Sequence, residues 1–224
     1  MSEREQILAR VRGALKTPAP RPGAHGGTQP SVQTSTARQW LPKVGGSFEE
    51  QLALFQKNAV ELKADFQLFN SLDEISRALV RLRDSENWRR AASHSGALTD
   101  AICSPLNISL LRTDKPYDVY ALEACDAGIS ECDALIAQTG SVLVTNRSAG
   151  GRALSVLPPH HVVLARREQL VADLPAAFEL LKVKYAENYP SMISFITGPS
   201  RTGDIERILV LGAHGPKKLT IFCF

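Results

Sequence analysis

Residues 133–145 read DALIAQTGSVLVT, two apolar runs at 134–137 and 142–145 on either side of Gln138-Thr139-Gly140-Ser141. Each run is too short for a helix, and neither alternates apolar with polar side chains as a half-buried strand does. Short, continuous apolar runs are the signature of strands covered on both faces. The same texture returns at 91–92, 108–111, 161–165, 193–196 and 219–224. Helical or turn segments separate these runs, which predicts an α/β protein with a mostly parallel sheet. No internal repeat is visible.

Upstream of the strands the spacing turns helical. Ser47 stands where an N-cap belongs, with Glu49 and Glu50 in the first turn. Phe48, Leu52, Phe55, Ala59, Leu62 and Phe66 then form one stripe. Ser71 and Glu74 make a capping box for a second helix carrying Ile75, Leu79 and Leu82 to about Arg83. A further helix is expected from about Glu168 to Tyr185, and another from near Thr202. At the N-terminus, Ile7, Leu8, Val11 and Leu15 predict an amphipathic helix over 2–16. The Pro-, Gly-, Ser- and Thr-rich stretch at 17–46 reads as a flexible linker, because it cannot bury enough apolar surface to offset chain entropy. The chain is thus expected to divide into a helical arm with linker, 1–46, and an α/β domain, 47–224. Docking on the body, pairing with a second copy and engaging a partner all remain open for the arm.

Composition excludes several classes. The chain has 224 residues, enough for one domain with appendages. It has no run near the roughly 18 apolar residues of a membrane-spanning helix, and its charged start, MSEREQ, lacks a secretory core. A cytoplasmic location is expected. Of the net charge of +3, residues 1–43 hold +5, leaving a faintly acidic body without the massed positive face that nucleic acid requires. No nucleic-acid partner is expected. Cys103, Cys125, Cys132 and Cys223 show no C-x-x-C spacing, so they read as buried thiols and no metal site is expected.

Three turns could carry chemistry. In Thr197-Gly198-Pro199-Ser200-Arg201-Thr202-Gly203-Asp204-Ile205-Glu206, glycine allows a tight turn, hydroxyls can bond an anion and Arg201 offers a fork of donors. Equally, Ser200 or Thr202 can simply cap a helix whose positive end Asp204 and Glu206 already satisfy. Thr139-Gly140-Ser141 is either a ligand contact at a strand end or an ordinary hairpin. His214, between Gly212 and Gly215, is a candidate acid or base, or a turn histidine bonded to backbone. His160 and His161, adjacent in an extended segment, point to opposite faces, so they cannot share one metal without a kink. No G-x-S-x-G, P-loop or G-x-G-x-x-G follows a strand, which removes the usual support for hydrolase, NTPase and dinucleotide folds.

Taken in order, DALIAQTGSVLV (133–144), LSVLPPHHVVL (154–164) and ITGPSRTGDIERILVLGAHGPKKLTIF (196–222) resemble the lactate-utilisation protein C family, the LUD domain. The resemblance implies a three-layer α/β body similar to ribose-5-phosphate isomerase and the CoA-transferases. It also implies a part in oxidising L-lactate to pyruvate beside two partner subunits that carry iron–sulfur clusters, with no cofactor in this chain. Thr139, Gly140, Ser141, Gly198, Pro199, Ser200, Arg201, Thr202, His214 and Gly215 fall on the family's motif positions. On this reading the three turns converge beyond the carboxyl ends of the strands to bind a small carboxylate or phosphate, with His214 as the candidate for proton transfer. The alternative is a non-catalytic assembly factor for iron–sulfur partners. An independent isomerase or CoA-transferase finds less support, since no nucleophilic glutamate can be identified. Gly203 departs from the family's alanine, which loosens a helical turn by up to about 1 kcal/mol without removing a donor.

Overall fold

Parallel hydrogen bonding joins six strands in the spatial order β1 (Asp65–Leu68), β12 (Lys218–Cys223), β7 (His160–Ala165), β4 (Ala127–Glu131), β2 (Arg90–Ser93) and β3 (Ser109–Arg112). The computed structural model describes residues 2–16, 42–202, 210–212 and 214–224. The expected α/β class and mostly parallel sheet are present. Four of the apolar runs supply strands as anticipated, but 134–137, 142–145 and 193–196 do not join this sheet. They form a second one, in the order β8 (Leu170–Val171), β5 (Ala134–Ile136), β6 (Ser141–Thr145) and β9 (Ile193–Ile196), in which β6 runs antiparallel to both neighbours. A continuous apolar run reports burial on two faces, and a strand sandwiched between a sheet and a helix meets that condition as well as one between two helices.

Helices and sheets alternate through the body. Helices α3 (Leu72–Glu86) and α4 (Ala97–Cys103) cover one face of the large sheet, where Ile75, Leu79, Leu98 and Ile102 meet Ala91, Ile129, Val162, Leu164 and Phe222. Helix α2 (Phe48–Glu61) and the small sheet cover the other, with Phe55 and Ala59 beside Leu135, Val142, Val144, Val163 and Ile221. Helix α6 (Leu174–Tyr185) packs Ala177, Leu181 and Tyr185 on the small sheet's outer face. Near β2, the short α5 (Val119–Glu123) and the 153–157 segment enclose Ala92 and Leu154. The described residues contain no helix long and apolar enough to cross a membrane.

The caps follow the sequence closely. Ser47 and Glu50 bond reciprocally at the start of α2, completing a capping box. At α3 the Ser71 hydroxyl accepts from Glu74 N–H, while the Glu74 carboxylate accepts from Asn70 N–H, one residue further out than a capping box requires. The stripe expected to run on to Phe66 stops earlier. Lys63 adopts φ 70°, which turns the chain out of α2, and Phe66 packs edge-on to Phe55 from strand β1. Helix α6 begins at Leu174, not near Glu168, because Asp173 supplies the cap by accepting from Ala176 N–H.

Helix α1 (Glu3–Lys16) forms at the N-terminus as anticipated, capped by reciprocal bonds between Ser2 and Glu5, with Ile7, Leu8 and Val11 exposed. Most of the expected linker lies outside the described residues. Its last part, 42–46, is attached to the body: Pro42 C=O accepts from Gln138 Nε2, Gly45 C=O accepts from Gln51 Nε2, and Val44 packs on the core.

One buried carboxylate ties the second sheet to its surroundings. Asp133, between β4 and β5, accepts from Lys184 Nζ, the Tyr185 hydroxyl and Ser148 Oγ, each at 2.6 Å. Burial alone would raise this carboxyl, but the three hydrogen bonds and the lysine charge outweigh it and hold Asp133 below its usual range. Asp133→Ala leaves two hydroxyls without their acceptor inside the protein, and is expected to cost about 3 kcal/mol, read as a lowered midpoint in urea denaturation.

Candidate functional site

The three turns singled out in the sequence lie side by side along the end of α2. Gln138-Thr139-Gly140 joins β5 to β6 as a hairpin, and Asn58 of α2 donates through Nδ2 to the carbonyls of Ala137 and Gln138, at 2.9 and 3.0 Å. Gly140 is needed for space, since a methyl group there would fall 2.8 Å from Ala59 N. Ser141 Oγ lies 2.8 Å from Thr197 Oγ1, which joins the first turn to the second. Gly198 rests against the Leu62 carbonyl just past α2, 2.6 Å from where a methyl would sit. The third turn follows directly. Ser200 N–H donates to Pro216 C=O, Gly212 N–H donates to Ser200 C=O, and Gly215 packs against the Ser200 side chain.

Two expectations need correction. Arg201–Thr202 form strand β10, antiparallel to β11 (Val210–Leu211), so Thr202 is extended and does not itself open a helix, and the Ser200 amide is already bonded to Pro216. The helix expected to follow falls on 203–209, outside the described residues. The turns also gather at the opposite edge of the large sheet from the one anticipated. The 212–216 turn enters β12 at its amino end, where Lys217 and Lys218 N–H groups donate to Pro159 C=O just ahead of β7. With six residues in each of these strands, the carboxyl edge is about 17–20 Å away.

That carboxyl edge has its own polar set, which the sequence reading missed. Strands β2 and β4 are neighbours whose onward connections leave in opposite directions, toward β3 and toward β7, and such switch points form a crevice in wound sheets. At its floor His94 Nδ1 donates to Ser95 C=O and Nε2 accepts from Glu131 N–H. Arg112 donates to His94 C=O at 2.6 Å and pairs with Asp100 at 2.7 Å, while Asp114 accepts from Ser95 N–H and Oγ. The groups hold one another. The available signal was a Ser-His-Ser-Gly tetrapeptide directly after an apolar pair, but two apolar residues make a weak strand marker.

At the amino edge the adjacent histidines divide as their spacing requires. His160 Nε2 meets Thr220 Oγ1 at 2.9 Å with its ring edge-on to Trp88, and His161 Nε2 meets Ser130 Oγ at 2.9 Å on the other face. Burial pushes His160 down to about 4 against a partial rescue by Glu86, and pushes His161 down to about 3 with His160 adding to the effect. Both rings are neutral near pH 7. His160 also lines a cleft of about 190 Å³ with Glu86, Trp88, Asp126, Pro159, Lys217 and Lys218. Arg201 and His214 are exposed beside these turns. All four cysteines are buried, and burial raises each thiol, Cys103 and Cys223 to about 11, so none is a ready nucleophile.

Fold and turns together define a wound α/β domain with a second sheet packed on its face. Residues 119–223, just under half of the chain, match the LUD domain family model. The chain is 36% identical over 105 residues to lactate utilization protein C 1 of Bacillus mycoides (strain KBAB4), a match spanning 46% of this chain and only 45% of that protein. Lactate utilization protein C of Shouchella clausii (strain KSM-K16) is 27% identical over 226 residues, covering 97% of this chain and 96% of that one. A crystal structure of a DUF162 family protein from Deinococcus radiodurans superposes with a TM-score of 0.64 at 21% identity, over 80% of this chain and 99% of the other. That likeness concerns the fold.

The buried histidines make stability depend on acid. Unfolded, each takes up a proton near pH 6.5; folded, they do so only near 4 and 3. Their contribution is therefore complete above about pH 6.5 and is lost as pH falls, by up to about 1.4 kcal/mol per pH unit for each ring. His160→Gln, which can still bond Thr220, is expected to remove about half of that slope between pH 6.5 and roughly 4.5, as measured by urea denaturation across this range.

Proposed function

We propose that this chain serves in lactate utilisation, as a subunit of a system that oxidises L-lactate to pyruvate beside partner subunits carrying iron–sulfur clusters. It binds a small carboxylate or phosphate at the turns 139–141, 198–202 and 212–216. The observation that carries the site is the direct contact between these turns, through Ser141 with Thr197 and Ser200 with Pro216 and Gly215. The similarity along nearly the full length of the Shouchella clausii protein supports the role. Arg201 supplies the charge for the anion, Ser200 a hydroxyl, and His214 is the candidate for proton transfer. A second reading, an assembly platform for iron–sulfur partners, is favoured by α1, whose Ile7, Leu8 and Val11 are exposed.

Isothermal titration of the full chain with L-lactate, pyruvate and inorganic phosphate separates the two. Binding of at least one anion, weakened about tenfold or more by Arg201→Ala, is expected for a ligand-binding subunit. If no anion binds, or the variant binds equally well, the site is wrong. Loss of partner co-purification on deleting 1–41, with anion binding intact, would then favour the platform.

A further inference from the structure

Strand β9 lies at the edge of the small sheet, with β6 on one side and no described strand on the other. Just before it, Asn146 N–H donates to Met192 C=O, and in an antiparallel ladder alternate residues face the partner strand. Ser194 and Ile196 therefore turn their backbone groups to β6, whereas Ile193 and Phe195 turn theirs away from the sheet. No described residue bonds those outward N–H and C=O groups.

Among the described residues nothing guards this edge. Folded proteins block an open strand with a lysine or proline inside it, a bulge, or a covering segment. From Pro190 to Pro199 the chain carries no charged residue, and the register with β6 is regular from Ile193 to Ile196. The flank is apolar as well. Side chains alternate along a strand, so Ile193 shares with Phe195 the face that meets α6. Phe178 of that helix packs on Phe195 with ring centroids 5.3 Å apart, yet it is 56% exposed, and Ile193 is 38% exposed. Glu179 and Lys182, the charged residues that follow Phe178 on α6, lie 3.6 Å apart and neutralise each other.

We propose that β9 pairs antiparallel with β9 of a second copy of this chain, joining two four-stranded sheets into one continuous sheet about a two-fold axis. The register follows from which groups point outward. Ile193 of each copy opposes Phe195 of the other, so every outward N–H and C=O of both residues finds a partner. Ser194 then faces its own duplicate across the axis as a pair without mutual hydrogen bonds, the position where side chains come nearest, and serine is small enough for it. Electrostatics favour a second copy for the same reason. A two-fold axis sets residues beside their own duplicates, which repel one another where they are charged, and here the axis crosses a neutral segment. Ile193 packs beside Phe195 and Phe178 of the other copy. Because β9 runs on into Thr197 and Gly198, the pairing also steadies the strand that carries the second turn.

Sedimentation velocity on the full chain, from about 5 to 200 µM, is expected to show a monomer–dimer equilibrium. Ile193→Lys sets a charge opposite Phe195 at an exposed position and is expected to weaken dimerisation about tenfold or more. Ile193→Pro is expected to act likewise, since it removes an N–H that points outward and spares the bonds to β6. Tyr120→Ser, an exposed change on α5, is expected to leave the equilibrium as it was. The axis gives a direct readout. Ser194→Cys is expected to cross-link into a covalent dimer on oxidation with copper phenanthroline, because Cα atoms in such a pair lie about 4.5 Å apart and the native cysteines are buried. A monomer at every concentration overturns the proposal and leaves the edge to a strand of some other protein. A dimer that survives both Ile193 variants, gives no cross-link through Ser194→Cys, or is lost on deleting 1–41 overturns it as well.

Discussion

Strand β7 is bonded on both sides by parallel neighbours, β12 and β4, and covered on both faces by apolar side chains. The rest of the molecule is arranged around that constraint. A strand so enclosed admits polar groups only where each finds a partner, which is why His160 and His161 lie neutral against Thr220 and Ser130. It also fixes where the connecting segments can go. Parallel neighbours must be reached by crossovers, so every chain segment that enters the large sheet does so at one edge and leaves at the other.

The crossover from β4 to β7 makes this domain more than a simple wound sheet. Instead of a lone helix it contains the β5–β6 hairpin, whose inner face covers the large sheet as a helix layer would. The hairpin turn then reaches α2, and Asn58 holds its carbonyls there. Strand β9 returns from α6 to pair with β6, and its exit places Thr197 and Gly198 against the same helix end. The turns meet because two sheets share one helix, α2, as a common support.

Much of this was legible in the residues, and the failures have physical causes. Ser47 and Ser71 mark helix starts through local hydrogen bonds that need no tertiary partner, so the sequence shows them plainly. Strand β4, Ala-Gly-Ile-Ser-Glu, escaped notice because Gly128 and Ser130 look like turn residues. In the fold Gly128 is required where a methyl would fall 2.4 Å from Leu154 C=O, and Ser130 is the partner of His161. Phe66 continued the α2 stripe in register, yet the positive φ at Lys63 diverts it into a strand. The convergence of the three turns was anticipated. Their placement at the amino edge was not, because that depends on 212–216 preceding a strand parallel to β7, which no local pattern reports.

The two edges of the large sheet differ in how far their polar groups are used. At the carboxyl edge His94 engages both ring nitrogens, Arg112 bridges His94 and Asp100, and Asp114 is held by Ser95. A ligand entering there must displace bonds the protein already makes, and two carboxylates, Asp100 and Asp114, against one guanidinium leave no net positive charge for an anion. At the amino edge the carboxylates Glu86 and Asp126 are already bonded, while Lys217 forms no ion pair and His160 Nδ1 has no hydrogen-bond partner among the described residues. The carboxyl side that wound sheets usually offer to ligands is, in this protein, the edge whose polar groups already bond one another.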